Sequence, residues 1–475
     1  MRRLNERLAR GWTLVATRYL PFADAASETL PLARLLRLGL FQVSVGMALV
    51  LLGGVLNRVM IIELGVPASL VAVMLALPVV AAPFRALIGH RSDTHRSALG
   101  WRRVPYIWFG SLLQFGGFAI MPFALIVLSG DTHGPAWIGQ AGAALAFLLV
   151  GVGLHTTQTA GLALAGDLAG PDTRPRVVAL LYVMLLLGTV ASALAASVLL
   201  EEFSQLRLVK VVQGAALLTI VLNVIALWKQ ETRRPARQAP LAPPFGEAWR
   251  GLCRTPGFRR FLCAVALGSA AFSMQEVLLE PYGAAVLGLS VSGTTVLTAL
   301  FAGGSLAAFA YAARRLGVGA DVHRLAALGA LAGVAAFFAV VFAAPLHAVP
   351  LLGAGAFLIG FGAGLFAVAT LTSAMARDQH GASGLALGAW GAAQATAAGL
   401  GIALGGVLRD VVSTLGTSGL LGAGMRSDAA GYVVVFHLEI ILLFAALVAI
   451  GPLVRRDPAR TASTAGRLGL AELPS

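Results

Sequence analysis

Charged residues are scarce in this sequence, and their scarcity excludes a soluble protein. They make up 12% of the 475 residues, against 58% hydrophobic residues and a mean hydropathy of +0.84, whereas a soluble chain carries about twice that charged fraction. Apolar runs of about 20 residues recur throughout, each long enough to cross a bilayer as a helix. Because these runs are continuous rather than alternating, they also exclude a transmembrane β-barrel. The sequence therefore predicts an all-α polytopic membrane protein.

Cysteines and catalytic motifs are also few. Cys253 and Cys263 are the two cysteines, too few for a disulfide framework or a cysteine metal cluster. The ten aspartates are scattered, so the aspartate-rich runs with which a prenyl transferase holds a diphosphate through magnesium are missing. There is no P-loop and no nucleophile elbow. We therefore predict neither catalysis nor a metal site.

Positive charge is abundant and unevenly distributed. The formal net charge is +14. If both termini lie on one side of the membrane, thirty of the 35 Lys and Arg residues fall on that side. By the positive-inside rule this places both termini in the cytoplasm. Because topology explains the basic loops, the sequence does not indicate a nucleic-acid partner.

Twelve transmembrane helices follow from the apolar runs. The predicted spans are 39–62, 67–88, 105–128, 137–165, 177–200, 210–228, 261–280, 290–312, 325–344, 349–371, 385–408 and 431–454. The longest cytoplasmic connection, 229–260, divides them six and six. The predicted divisions are an amphipathic segment 1–38, an N-terminal half 39–228, a linker 229–260, a C-terminal half 261–454 and a cytoplasmic tail 455–475.

The loops at corresponding positions of the two halves contain similar charged residues. Gly89–Asp93, followed by Arg102 and Arg103, comes after predicted span 2, and Arg314-Arg315 comes after span 8. Two six-helix halves related as parallel repeats are typical of the major facilitator architecture. The polar residues of the cytoplasmic loops that we single out are Asp93, Arg102, Arg103, Asp167, Asp172, Arg174 and Arg176.

Residues 1–38 interleave leucines with arginines. This pattern, which includes Arg34 and Arg37 among leucines, is typical of interfacial segments that lie on the anionic cytoplasmic leaflet. We expect this segment to contact membrane lipids. A docking surface for a partner protein is the alternative.

Polar residues stand near the periplasmic ends of predicted spans 1 and 7. Span 1 ends with Asn57 and Arg58, and span 7 ends with Gln275, Glu276 and Glu280. Intramembrane carboxylates are costly and rarely idle. We expect Arg58 to pair with Glu276 or Glu280 and to close the periplasmic side. The alternative is that each side chain reaches the interface by itself.

Two histidines lie inside predicted spans. His155, Gln158 and Thr159 share one face of span 4, and three hypotheses compete for them: hydrogen bonding between helices, the lining of a polar cavity, and axial ligation of a chlorin magnesium by His155. Neutral imidazole offers a free electron pair to a metal. His437 in span 12 is the second candidate ligand.

Four motifs in order carry a resemblance to a known family. They are Trp101–Trp108 (WRRVPYIW), Thr157–Ala163 (TQTAGLA), Asp172–Leu180 (DTRPRVVAL) and Met274–Gly283 (MQEVLLEPYG). Over about residues 25–455 the chain resembles the PucC/LhaA family, the bacteriochlorophyll-delivery branch of the major facilitator superfamily. Its length and extended N-terminus are closer to the LhaA branch, which serves the core antenna, than to the PucC branch.

The resemblance implies an assembly factor in the intracytoplasmic photosynthetic membrane of a bacterium. Its expected partners are light-harvesting antenna polypeptides, the photosynthetic reaction centre and bacteriochlorophyll, which it would deliver or shield. Two alternatives stay open. One is a proton-coupled secondary transporter that uses Glu276 or Glu280, and the other is a scaffold that holds antenna subunits without transport.

Overall fold

A computed structural model of the protein describes most of the chain. The described residues are 31–57, 59–60, 64, 66, 68–95, 100–128, 135–170, 173–200, 204–232, 243–289, 291–377, 383–418, 420 and 429–454. They contain fifteen α-helices. The first seven, which we call the N-terminal half, are α1 (Leu32–Val50), α2 (Ala68–Ala81), α3 (Arg85–Thr94), α4 (Val104–Leu128), α5 (Ala136–Leu168), α6 (Arg174–Leu199) and α7 (Gln205–Leu227). The other eight form the C-terminal half: α8 (Phe245–Arg254), α9 (Phe258–Met274), α10 (Leu279–Leu287), α11 (Val291–Gly317), α12 (Val322–Ala343), α13 (Val349–Ala376), α14 (Ser383–Thr417) and α15 (Ala430–Ile450).

These helices confirm the predicted membrane fold. Among the described residues, eleven helices are long and apolar enough to cross a bilayer, and α9 with α10 makes a twelfth span if the bent pair is counted as one. The exception is α8, a short amphipathic helix with no buried residue. It precedes the seventh span and lies in the predicted linker.

Two spans are interrupted, each by a 3₁₀ turn. In span 2 the turn Ala82–Phe84 contains Pro83, which lacks an N–H and clashes with the preceding turn of an α-helix. The α-helix therefore ends at Ala81 and restarts at Arg85. In span 7 the turn Gln275–Val277 separates α9 from α10, and the two helices differ in direction by 46°.

Small residues let helix backbones approach one another. A Cβ on Gly304 of α11 would collide with the carbonyl of Phe357 on α13, and one on Gly360 of α13 would collide with the carbonyl of Phe301. Such contacts stabilise helix pairs in lipid, where no hydrophobic force drives the helices together. Between the halves, α6 meets α11 through Tyr182 and Phe309, whose stacked rings are 5.4 Å apart.

The first span begins earlier than predicted. Helix α1 starts at Leu32, and Leu35 and Leu38 are fully buried in the core. Arg34 is half-buried, and its guanidinium donates to the backbone oxygen of Gln230 at 2.6 Å. Residues 32–38 thus belong to the helix bundle rather than to an interfacial segment, because leucines cover the core face and a polar partner satisfies the arginine. Residues 1–30, the rest of the predicted segment, lie outside the described residues.

Candidate functional site

The cytoplasmic ends of spans 2, 3, 4 and 6 meet in one polar cluster. We define this cytoplasmic cluster as Ser92, Asp93, Arg102, Arg103, Asp167 and Glu231. Its centre is Arg103, which is fully buried. The Arg103 guanidinium forms an ion pair with Asp93, donates to Asp167 Oδ2 at 3.1 Å through Nε, and donates to Ser92 Oγ at 2.7 Å through Nη1. Burial by itself would lower the pKa of Arg103, but the carboxylates of Asp93 and Asp167 outweigh it and hold the pKa above its usual value.

The cluster also anchors the start of α4. Glu231, which follows the sixth span, accepts the backbone N–H groups of Arg102, Arg103 and Val104 at 2.9–3.1 Å. These are the groups that a helix leaves without partners at its N-terminus. Arg102 adds a second cation on Asp167, with Nη2 to Oδ2 at 2.6 Å. Each of these charges is thus satisfied by an oppositely charged group or a helix terminus.

Asp93 extends the cluster across the two halves. Its carboxylate accepts the backbone N–H of Gly384 at 2.9 Å and of Leu385 at 2.8 Å, at the start of α14. The helices are in backbone contact there, because a Cβ on Gly89 would collide with the Gly384 carbonyl. The carboxylate therefore caps a helix of the other half, where the helix dipole also favours negative charge.

Two further arginines of the predicted loop motifs reach the C-terminal half. Arg174 Nη1 donates to the backbone oxygen of Met375 at 3.3 Å. The Arg176 guanidinium lies so close to Gly317 that a Cβ there would be 2.9 Å from Arg176 Nη2. Asp172 lies outside the described residues. Asp93, Arg174 and Arg176 thus contact the C-terminal half at the seam between the halves.

A buried arginine lies deeper in the same seam. Arg85 at the start of α3 is 1% exposed, and its Nε donates to Thr159 Oγ1 at 3.0 Å. Its guanidinium packs against Gly391 of α14, where a Cβ would be 2.6 Å from Nη2. That Nη2 has no hydrogen-bond partner in the part of the chain that the structure describes. Arg85 is therefore a fully buried cation at the contact between the halves.

Of the three predicted residues on span 4, two make contacts between helices. His155 is buried, and its Nε2 lies 3.0 Å from the carbonyl oxygen of Pro78 in span 2. Since a carbonyl only accepts, Nε2 is the donor and Nδ1 keeps the lone pair. Nδ1 is enclosed, without a partner among the described residues. Thr159 binds Arg85, and Gln158 is half-buried. The observed contacts are those of interhelical hydrogen bonding, and ligation of magnesium by His155 stays a prediction.

His437 has a different environment. It lies on α15 with its side chain exposed, and its Nδ1 is 2.7 Å from the carbonyl oxygen of Val433. Nδ1 must donate in this bond, so Nε2 is the ring nitrogen with the free electron pair. The neighbouring exposed side chains on this helix are Ile441 and Phe444. His437 thus presents one fixed imidazole tautomer on an otherwise apolar surface.

The predicted periplasmic clamp is described only in part. Arg58 lies outside the described residues, so its pairing with Glu276 or Glu280 stays a prediction. Asn57 is half-buried at the end of the first span, and Gln275 is buried. Glu276 lies in the 3₁₀ turn of span 7 and Glu280 in α10, both are exposed, and Glu280 accepts a hydrogen bond from the Thr298 hydroxyl. The predicted span 261–280 would place both carboxylates on one continuous helix, whereas the structure separates them by the 3₁₀ turn.

A third intramembrane carboxylate is completely enclosed. Glu439 on α15 has no exposed surface, and neither of its carboxylate oxygens has a hydrogen-bond partner among the residues described. The backbone N–H of Gln275 faces it without reaching hydrogen-bond geometry. Glu439 follows His437 by two residues on α15. Its side chain lies on the buried side of that helix, whereas His437 is exposed.

A family model described as "PUCC protein" matches residues 55–458 of this sequence. The chain belongs to the PUCC protein family. It is 58% identical over 468 residues to an "uncharacterized protein in puhA-bchM intergenic region" of Rhodobacter capsulatus, covering 97% of this chain and 98% of that protein. It is 56% identical over 420 residues to "Protein PucC" of Rhodovulum sulfidophilum, covering 87% and 92% of the two chains.

The fold of this PUCC-family protein has solved counterparts. A bacterial homologue of the iron transporter ferroportin, crystallised in an outward-facing state, superposes with a TM-score of 0.70 at 17% identity, covering 88% of this chain and 98% of that chain. At that identity the likeness concerns the fold alone. The predicted major facilitator fold and the predicted family are therefore both confirmed.

Three residues of the PUCC-family protein have structural positions that were not predicted from the sequence: Arg85, Glu231 and Glu439. Arg85 stands just after Pro83, at the cytoplasmic end of an apolar run, where an arginine normally reaches water. Glu231 stands in a basic connection and looks like a solvated charge. Glu439 could have been recognised from the sequence, since an acidic residue in the middle of an apolar run is rare.

Proposed function

We propose that this PUCC-family protein is an assembly factor for the photosynthetic core antenna and that it holds bacteriochlorophyll on the bilayer-facing surface of α15. Its expected partners are light-harvesting polypeptides and the reaction centre, in the intracytoplasmic photosynthetic membrane of a bacterium. The proposal rests on the environment of His437. Membership of a family with relatives named PucC supports it.

The donor chemistry of His437 fits a chlorin magnesium. An imidazole ligates through a nitrogen that carries a lone pair, and the hydrogen bond on the other nitrogen fixes the tautomer and the ring direction. In His437 the 2.7 Å contact from Nδ1 to the Val433 oxygen plays that part and leaves Nε2 to the ligand. His437 lies seven residues into α15, about 10 Å from the start of the helix, so the ligand would lie within the membrane.

The surface around His437 suits a large apolar pigment. Ile441 and Phe444, one and two turns further along α15, are 61% and 49% exposed. The pigment ring could lie on these side chains while its prenyl tail stays in the lipid, so the bound pigment would not have to enter the protein. His155 is a poorer candidate, because its free Nδ1 is enclosed and its other nitrogen is used by Pro78.

The test is purification of the tagged full-length protein from pigmented membranes in a gentle detergent, followed by an absorption spectrum and identification of the bound subunits. We expect bacteriochlorophyll together with antenna or reaction-centre polypeptides. The same purification from a strain that lacks the core antenna polypeptides should keep the pigment. Absence of both pigment and photosynthetic polypeptides from the wild-type preparation would contradict the proposal.

The transporter hypothesis is favoured by one observation of its own, the break in span 7. Glu276 lies in the 3₁₀ turn and is exposed, at a bend of 46°. A carboxyl at a discontinuous helix suits a coupling ion or proton. If the protein transports a solute by this route, Glu276→Gln should abolish its function in vivo while pigment binding stays normal. If function is lost together with pigment binding in a protein whose Glu276 is unchanged, the result supports a role in assembly instead of transport.

A further inference from the structure

A cavity of about 1380 Å³ opens at the cytoplasmic end of the C-terminal half. It lies where the ends of α8, α11, α12 and α13 meet the turn before α9 and the end of α15. It shares no residue with the cytoplasmic cluster or with the surface around His437. Neither the proposed function nor the contact between the halves uses it.

The polar end of the cavity is positively charged. Its described lining residues include Arg315, Arg324 and Arg377 and the carboxylate of Asp321. That carboxylate caps α12, because Oδ1 accepts the backbone N–H groups of His323 at 2.8 Å and of Arg324 at 2.9 Å. The described part of the lining thus contains three guanidinium groups and one acid, and a helix N-terminus engages that acid.

Arg377 is held in position by aromatic rings. The central carbon of its guanidinium is 4.8 Å from the centre of the Phe261 ring and 5.7 Å from that of Phe258, within the range of cation–π contacts. Its Nε is enclosed without a hydrogen-bond partner, and within the described ranges no carboxylate forms an ion pair with it. Burial lowers the pKa of Arg377, a cost that a bound anion would offset.

The other end of the cavity is apolar and faces the bilayer. Tyr311 and Leu328 line it, and their side chains are 36% and 40% exposed. Each lies six residues, or about 9 Å, from the nearest end of its helix, and four residues, or about 6 Å, deeper than the arginine on the same helix, Arg315 or Arg324. The cavity is therefore amphipathic, cationic at the cytoplasmic surface and apolar within the membrane.

We propose that this cavity binds an anionic phospholipid, with the phosphate between Arg377, Arg315 and Arg324 and the acyl chains leaving past Tyr311 and Leu328. Guanidinium groups bind phosphate through paired N–H donors. Basic pockets between transmembrane helices on the cytoplasmic side are suited to such headgroups. Free inorganic phosphate offers the same head chemistry without the chains, so an experiment must separate the two.

The experiment is native mass spectrometry of the purified full-length protein with phosphatidylglycerol or phosphatidylcholine of identical acyl chains, and separately with inorganic phosphate. We expect wild type to retain phosphatidylglycerol in preference to phosphatidylcholine. Arg377→Gln and, independently, the rim variant Arg315→Gln should each lower that retention about fivefold. The matched control is Arg259→Gln, which removes an exposed arginine of the same cytoplasmic surface that does not line the cavity.

A thermal unfolding curve of each variant separates binding from folding. If Arg377→Gln unfolds early, Arg315→Gln decides the question, because Arg315 is exposed. Equal retention of the two lipids by wild type, or equal loss in the Arg259→Gln control, would overturn the proposal. Binding of inorganic phosphate that competes fully with the lipid, in a protein that shows no preference between the lipids, would assign the site to a soluble phosphate and equally overturn it.

Discussion

The cytoplasmic cluster and the membrane-embedded seam each contain a fully buried arginine, and the two arginines have opposite environments. Arg103 in the cluster meets two carboxylates and a serine hydroxyl, whereas Arg85 in the seam meets one threonine hydroxyl and leaves a nitrogen unpaired. Glu439 repeats the second pattern with the opposite sign. Among the described residues, the buried arginine of the cytoplasmic cluster, which joins the halves, is thus paired with carboxylates, whereas Arg85 and Glu439 inside the membrane have no ionic partner.

This difference separates two roles for a buried polar group. A paired cluster is costly to break, because removal of one partner strands the others. An unpaired group is costly to keep, since it has lost its water without a compensating charge. We therefore expect opposite signs when the two kinds of residue are replaced, and the following predictions test that contrast in order of effect.

Arg103→Ala should be the most damaging change. It leaves Asp93 without its cation and removes one of the two cations on Asp167, and breaking such a pair costs about 3–5 kcal/mol. The thermal unfolding midpoint of the purified protein should fall sharply. Arg91→Ala, which removes an exposed arginine of α3, the helix that carries Asp93, is the control. If both variants unfold together, the cluster does not stabilise the fold.

Asp93→Ala should loosen the contact between the halves. The backbone amides of Gly384 and Leu385 lose an anionic acceptor, and a hydrogen bond to a charged group contributes about 1.5–3 kcal/mol. Hydrogen exchange at these two amides should rise about tenfold or more. The amides of His323 and Arg324, capped by Asp321 on another helix, serve as an internal control. Exchange that rises equally at both helix starts would mean general unfolding.

Arg85→Met should change the stability of the protein in the opposite direction. The variant loses the bond to Thr159 but removes an unpaired cation, and apolar replacement of buried charge is neutral or stabilising by about 1–4 kcal/mol. The unfolding midpoint should stay level or rise, whereas Arg103→Met should lower it. An Arg85→Met variant as unstable as Arg103→Met would show that Arg85 has an ionic partner that completes the seam.

Glu439→Gln should change stability least, by about 0.5 kcal/mol or less. The amide has the same shape as the enclosed carboxyl, which has no cation among the described residues, and it brings no charge that burial would penalise. Glu231→Gln is the matched comparison, because Glu231 accepts three helix N–H groups as a carboxylate. Equal losses in the two variants would indicate that Glu439 is ionised and paired.

Much of the fold could be predicted from the sequence because lipid imposes strict rules. Apolar runs of bilayer length and an uneven charge distribution indicate the number of spans and their orientation. The residues Asp93, Arg103 and Asp167 were predicted from loop motifs. Their mutual contacts were not, because they depend on how three helix ends meet.

The interior of the bundle was harder to predict. Arg85 looked like a residue of the cytoplasmic end, and the 3₁₀ turn at Pro83 is what sets it at the start of a new helix against Gly391. His155 and His437 looked alike in sequence, since each is one imidazole in an apolar run. Which of them is enclosed and which is exposed depends on the rotation of each helix in the bundle.

Pigment binding by His437 is measured most directly as the ratio of bacteriochlorophyll to protein in matched preparations of wild type and His437→Leu from pigmented membranes. Ile441→Leu, on the same exposed face, controls for the change in surface. We expect wild type and Ile441→Leu to retain the same amount of pigment, and His437→Leu to lose most of it while it folds normally. Pigment retained in full by His437→Leu would contradict the assignment of His437 as the ligand.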